Sequence, residues 1–178
     1  MDFKNDFEKK TFETCSFFLS KDRIALEHNY TVRTEKTIIS FTGNPQKEID
    51  VLTMEFPKNV KLLVSCKDYG TNVPPAAIQE WGDVLKVLNK HSILSTYFGL
   101  IVASKGFSEG CEAWAKTDNI GLIPPYRGER NEFDESQIFK MLQRVIHVFL
   151  KTVDRRCAAE ISDNENFYWL CYKTVADL

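Results

Sequence analysis

The feature that most constrains this chain is the alternation of element types between Val60 and Ile123. Val60 to Lys67 reads as a strand, and its unbroken Leu62-Leu63-Val64 predicts burial on both faces rather than one. A loop containing Pro74 and Pro75 follows. Ala76 to about Asn89 then has helical spacing, with Ile78, Trp81, Leu85 and Leu88 on one face. Phe98 to Ala103 is again an apolar strand. Ser108 is placed to cap a short helix through Lys116, with Cys111, Trp114 and Ala115 inside it. Asn119 to Ile123 completes the series and stops at Pro124-Pro125. Strand, helix, strand, helix, strand predicts parallel right-handed crossovers.

Upstream, the pattern predicts a helix from Asp6 to about Ser20. Asp6 would cap it, Glu8 lies in its first turn, and Phe7, Thr11, Cys15, Phe18 and Leu19 fall at helical spacing. Tyr30 to Phe41 is rich in β-formers, and Gly43-Asn44-Pro45 is a turn. Ile49 to Phe56 reads as a strand joined through Pro57-Lys58-Asn59 to the strand at Val60, an antiparallel hairpin. With the parallel units downstream, this gives an α/β fold whose central mixed sheet is flanked by helices. Asp134 opens a further helix with Gln137 in capping-box position and a stripe of Ile138, Met141, Leu142, Val145, Ile146 and Phe149. The aromatic tail, Phe167 to Tyr172, reads as strand-like, an edge strand or an interaction patch. At 178 residues one domain is expected. Residues 1–125 would form its core and 126–178 a C-terminal helix and edge-strand appendage.

Composition narrows the chemistry. A net charge of −2 offers no whole-molecule attraction to polyanions, so a nucleic-acid partner would need a local basic patch or a metal. Five cysteines, an odd number without CxxC spacing, predict reduced thiols and a cytoplasmic setting. The histidines, His28, His91 and His147, are scattered, and no Cys/His cluster suggests zinc. No haem or nucleotide cofactor is expected. The charged start, Met1 to Asp6, lacks a signal-type apolar segment, and no apolar run is long enough to predict a membrane span.

The hairpin carries the candidate chemistry. A turn centred on Lys58-Asn59 would set Asp50 opposite Lys67, and directly opposed residues share a face. Ser65 shares that face because side chains alternate along a strand. Asp50, Ser65 and Lys67 would then project together from an otherwise apolar sheet. Such a group suits a hard cation: Asp50 supplies a carboxylate, the Cys66 backbone carbonyl a neutral oxygen, and Lys67 orients a water or offsets phosphate charge. A shift of one residue would bring Cys66 into the pair and disperse the group.

An acid, a two-stranded hairpin and a lysine ending an apolar strand resemble the PD-(D/E)xK nuclease superfamily. Phe7-Glu8 in the opening helix, Cys66-Lys67-Asp68-Tyr69, and the stretch Gly99 to Ile123, "GLIVASKGFSEGCEAWAKTDNIGLI", resemble its Mrr-type restriction endonuclease branch. The resemblance covers roughly residues 6 to 123. It implies a restriction endonuclease-like fold and metal-dependent cleavage of DNA with magnesium or manganese. Asp50 and Lys67 would be catalytic, Glu8 an auxiliary metal ligand and Gln79 a substrate contact; a homodimer is compatible with that role. The chain departs from the pattern at Ser65, where the family carries Glu, Asp or Gln. Serine is short and neutral with a weak acceptor oxygen, so the departure favours a second outcome. In that outcome the domain has lost catalysis and binds nucleic acid or a protein partner. A third reading is an interaction module built on the aromatic tail. Lys105, Lys116, Arg127 and Arg130 are candidates for a DNA-facing patch.

Overall fold

The computed structural model describes residues 3–17, 25–27, 30–32, 47–49, 52–128, 133–176 and 178. A five-stranded mixed sheet lies at its centre. Its strands are β1 (Ala25–Glu27), β4 (Leu52–Phe56), β5 (Val60–Lys67), β6 (Thr96–Ala103) and β7 (Gly121–Ile123), side by side in that order. β1 and β4 are antiparallel, as are β4 and β5, whereas β5, β6 and β7 run parallel. β2 (Tyr30–Val32) and β3 (Lys47–Ile49) form a separate antiparallel pair. The run read as one strand from Ile49 to Phe56 therefore contributes to two sheets.

The crossovers are helical, as the sequence pattern requires. Helix α2 (Pro75–His91) joins β5 to β6, and α3 (Cys111–Thr117) joins β6 to β7. Before them comes α1 (Asp6–Ser16). After them come α4 (Glu135–Arg155), α5 (Ala158–Ser162) and α6 (Asn166–Val175). Asn5, one residue before the expected cap, accepts the Glu8 N–H at 2.8 Å and starts α1. Helix α3 begins after Gly110, whose left-handed φ of 87° turns the chain, so Ser108 is not its cap. Trp114, expected inside, is 41% exposed; Cys111 and Ala115 alone give α3 its buried edge. Asp134 and Gln137 form the reciprocal capping box that their spacing predicts.

Alternation along β5 divides the core in two. Leu62, Val64 and Cys66 face the layer made by α1, α4 and α6, with Met54, Phe98, Leu100 and Val102 beside them. Leu63 faces the opposite layer, with Ile101, Ala103 and Leu122, under α2 and α3. Phe149 of α4 anchors the first layer. Its ring lies 5.1 Å from Phe56, 5.4 Å from Phe98 and 5.0 Å from Phe167. Burying a ring of this size is worth roughly 1.5–3 kcal/mol.

The aromatic tail is helical rather than an edge strand. Phe167, Tyr168, Cys171 and Val175 are buried at helical spacing, where a strand would bury every second residue. Aromatic and β-branched preference for strands yields here to the packing of one helical face on the sheet. The C-terminal third thus supplies a layer of the core.

That layer sits close to the sheet. A Cβ at Gly121 would lie 2.6 Å from the Cys171 sulfur and 2.6 Å from a Leu100 methyl. Gly121→Ala should destabilise the protein by about 1–3 kcal/mol, read as a lower urea midpoint with an unchanged slope.

Candidate functional site

The hairpin register decides which polar groups meet at the end of β5. Leu52 pairs with Val64 and Phe56 with Val60. The sequence reading, which set position 50 against Lys67, is therefore one residue out of register with these pairs. The turn explains the difference: Lys58 and Asn59 both adopt left-handed backbone, with φ of 62° and 57°, and Lys58 is its centre. Asp50 itself lies outside the described residues.

The remaining candidates divide between the two faces. Ser65 pairs with Ile101 of β6 and is 2% exposed, sealed with Leu63 on the α2 side. Lys67 ends the strand on that same face by alternation and is half-buried. Cys66 points the other way, and its sulfur lies 3.6 Å from the Thr11 hydroxyl of α1. Glu8, one turn before Thr11, is 2% exposed and accepts the Lys4 N–H at 2.9 Å. A carboxylate this buried is costly to desolvate unless hydrogen-bonded, and it shares its helix face with the buried Thr11 hydroxyl. Gln79 is half-buried in the second turn of α2.

Beyond the strand ends lies a feature that the residue motifs did not reveal. A cleft of about 670 Å³ opens past the carboxyl ends of β5, β6 and β7, lined by Thr71, Asn72, Ser104, Lys105, Gly106 and Asp134 among others. Open α/β sheets bind ligands at this end, and the general rule could have located it from the strand order. Its floor is stapled: Val73 donates to the Gly106 carbonyl at 2.9 Å, and Ser108 donates to the Val73 carbonyl at 2.9 Å. The Ser104 backbone N–H donates to the Lys67 carbonyl at 3.0 Å, joining the cleft to the candidate strand end. The Ser104 hydroxyl is buried without a hydrogen-bond partner among the described residues. Asp134 is committed to helix capping: the Ser136 hydroxyl, then the Gln137 N–H, hold its carboxyl below the usual range.

The proposed surface patch is largely absorbed into structure. Arg127 donates to the Val175 carbonyl at 3.0 Å and also to that of Ala176, closing the end of α6. Lys116 pairs with Glu112 at 2.8 Å and lies 5.0 Å from the Trp169 ring centre. Lys105 is exposed at the cleft, while Arg130 lies outside the described residues.

Among the described residues no group of three or more His, Cys, Asp or Glu side chains is arranged to hold a metal. Nor is any helix there long and apolar enough to cross a membrane. No family model and no curated protein matches the chain. Among solved structures, it is similar to the crystal structure of a protein of unknown function, AF1548. The identity is 12% and the TM-score 0.48, over 98% of this chain and 100% of that one.

All five cysteines are free, and only Cys157 is exposed. Burial pushes the Cys111 thiol up to about 11 and raises those of Cys15 and Cys171 further. A disulfide reagent at neutral pH should therefore label Cys157 quickly. Cys66 and the other three should react only in denaturant, as a stopped-flow thiol titration would show.

Proposed function

We propose that this chain is a nuclease-like domain of the restriction endonuclease type that hydrolyses phosphodiester bonds in DNA with a divalent metal. The observation that carries the reading is the buried Glu8 carboxylate, held by the Lys4 N–H on the helix that packs against the end of β5. Lys67 ends that same strand. The Lys67 side chain leaves on the α2 face, opposite Cys66 and the helix of Glu8, so the two groups would meet only past the end of the strand, where a carboxylate and a lysine are what such hydrolysis needs.

Glu8, Asp50 and the Cys66 backbone carbonyl would hold magnesium or manganese; the donors are all oxygen, the kind these cations select. When bound, the metal would polarise a phosphate oxygen and lower the pKa of an attacking water. The residues of the chain supply the rest. Lys67 carries a compact positive charge that offsets the phosphate and orients the water. Gln79 serves as a contact for the substrate. Five free thiols, four of them buried, support a cytoplasmic setting.

One observation favours a second reading, a domain that binds nucleic acid without cutting it. Ser65 stands where the resembling family carries an acid or amide, and it is sealed under α2. A neutral hydroxyl there removes one carboxylate's attraction for the cation.

Manganese titration and plasmid nicking separate the two readings. The nuclease reading expects metal-dependent nicking that Asp50→Ala and Lys67→Ala each reduce by 100-fold or more. Protein that binds no manganese and nicks no DNA, yet gains nicking on Ser65→Glu, would establish the second reading.

A further inference from the structure

The C-terminal helices enclose a second concave surface, far in sequence from the strand end. It is a groove of about 500 Å³ between the last turns of α4 and the α5–α6 segment. Four cations line it: Lys151, Arg155 and Arg156 from α4 and its end, and Lys173 from α6. All four are exposed, and among the described residues none forms an ion pair with a carboxylate. Among the described residues no acidic side chain lines the groove, although Asp154, Glu160, Asp163 and Glu165 lie nearby in sequence.

Two arginines at the end of a helix are ordinarily explained by the helix dipole. Here another residue already meets the terminal carbonyls. Lys58, from the β4–β5 turn, donates its ammonium to the Val153 carbonyl at 2.8 Å and to the Asp154 carbonyl at 2.9 Å. The terminal carbonyls of α4 thus have a cation of their own. Lys151 and Arg155, four residues apart, stand on one helix face about 6 Å apart along its axis. Lys173 stands across the groove from the α4 cations. Trp169 forms part of the wall and is fixed there, its indole N–H donating to Glu165 at 3.2 Å. On a chain whose net charge is −2, this is a local concentration of positive charge.

We propose that this groove binds the phosphodiester backbone of duplex DNA. The choice of duplex DNA rests on the nuclease-type reading; the groove would hold the substrate outside the cutting site, without reading its sequence. Phosphate contacts of this kind position a protein on DNA and make its affinity depend on salt.

The test is fluorescence anisotropy of the full chain with a labelled 20-base-pair duplex in EDTA, between 50 and 200 mM salt. The wild type should bind and lose about a hundredfold in affinity across that range, as roughly four phosphate contacts require. The K151Q/R155Q/R156Q/K173Q variant should bind at least tenfold more weakly at 50 mM. Its log–log salt slope should fall by about 3–4. Thermal melting should be unchanged, because all four side chains are exposed. Binding is read in EDTA, where no metal-dependent cutting occurs, and Lys90→Gln, an exposed cation in the last turn of α2, should leave it as it was, so loss of cutting and loss of the groove are distinguishable. An unchanged affinity and slope in the quadruple variant would overturn the proposal. So would at least tenfold tighter binding to single-stranded DNA, to RNA, or to vesicles containing phosphatidylserine than to the duplex.

Discussion

Strand β5 is hydrogen-bonded along both edges, antiparallel to β4 and parallel to β6, and it is covered on both faces by helices. A strand so placed has little room for polar side chains. Leu62, Leu63 and Val64 are fully buried, and each anchors a different pairing in the two-layer core. Charged side chains appear only near its ends, at Lys61 and Lys67. The same burial that fixes the fold therefore concentrates whatever chemistry the strand carries at its carboxyl end, next to the cleft over β6 and β7. Ser65 lies just inside that end and Lys67 at it.

Much of this was legible in the chain. The run at Leu62 predicts double coverage, and the alternation after it predicts parallel crossovers; β5, β6 and β7 are parallel with α2 and α3 between them. The capping box at Asp134 and Gln137 needed only its spacing. Two of the readings that failed did so for definite reasons. The hairpin register turned on one residue, and it was decided by Lys58 and Asn59 in left-handed backbone, which a Pro-Lys-Asn turn does not announce. The tail was misread because propensity weighs Phe, Tyr and Trp individually. What buries Phe167, Cys171 and Val175 is a shared helical face packed on β7 and on the Phe149 ring. Of the candidate site, the sequence identified Glu8 and Lys67 as residues of interest. It could not show that a carboxylate in a first turn would be nearly sealed from solvent, because that depends on where α1 lands.

Lys58 joins these two outcomes. It sits at the turn that sets the register of β4 on β5, and its ammonium reaches the last carbonyls of α4. One residue thus ties the hairpin to the longest helix across nearly a hundred positions of sequence. Each such contact is worth a few tenths to about 1 kcal/mol where exposed. Its larger consequence is one of placement: a cation from the hairpin turn already meets the last carbonyls of α4, so the groove cations are not needed to satisfy them.

That division of labour separates cations that build the protein from cations that face outward. Arg127 closes α6, Lys116 pairs with Glu112, and Lys86 meets the buried Asp118 at 2.7 Å. Each has its partner within the protein. Lys151, Arg155, Arg156 and Lys173 line one groove with no acid in its wall among the described residues. Like charges drawn together on a surface repel one another, and the folded chain gains nothing from their proximity unless something else is bound there. A nearly neutral protein that engages a polyanion must gather its positive charge locally, and under the DNA-binding proposal the end of α4 is where this one would do so.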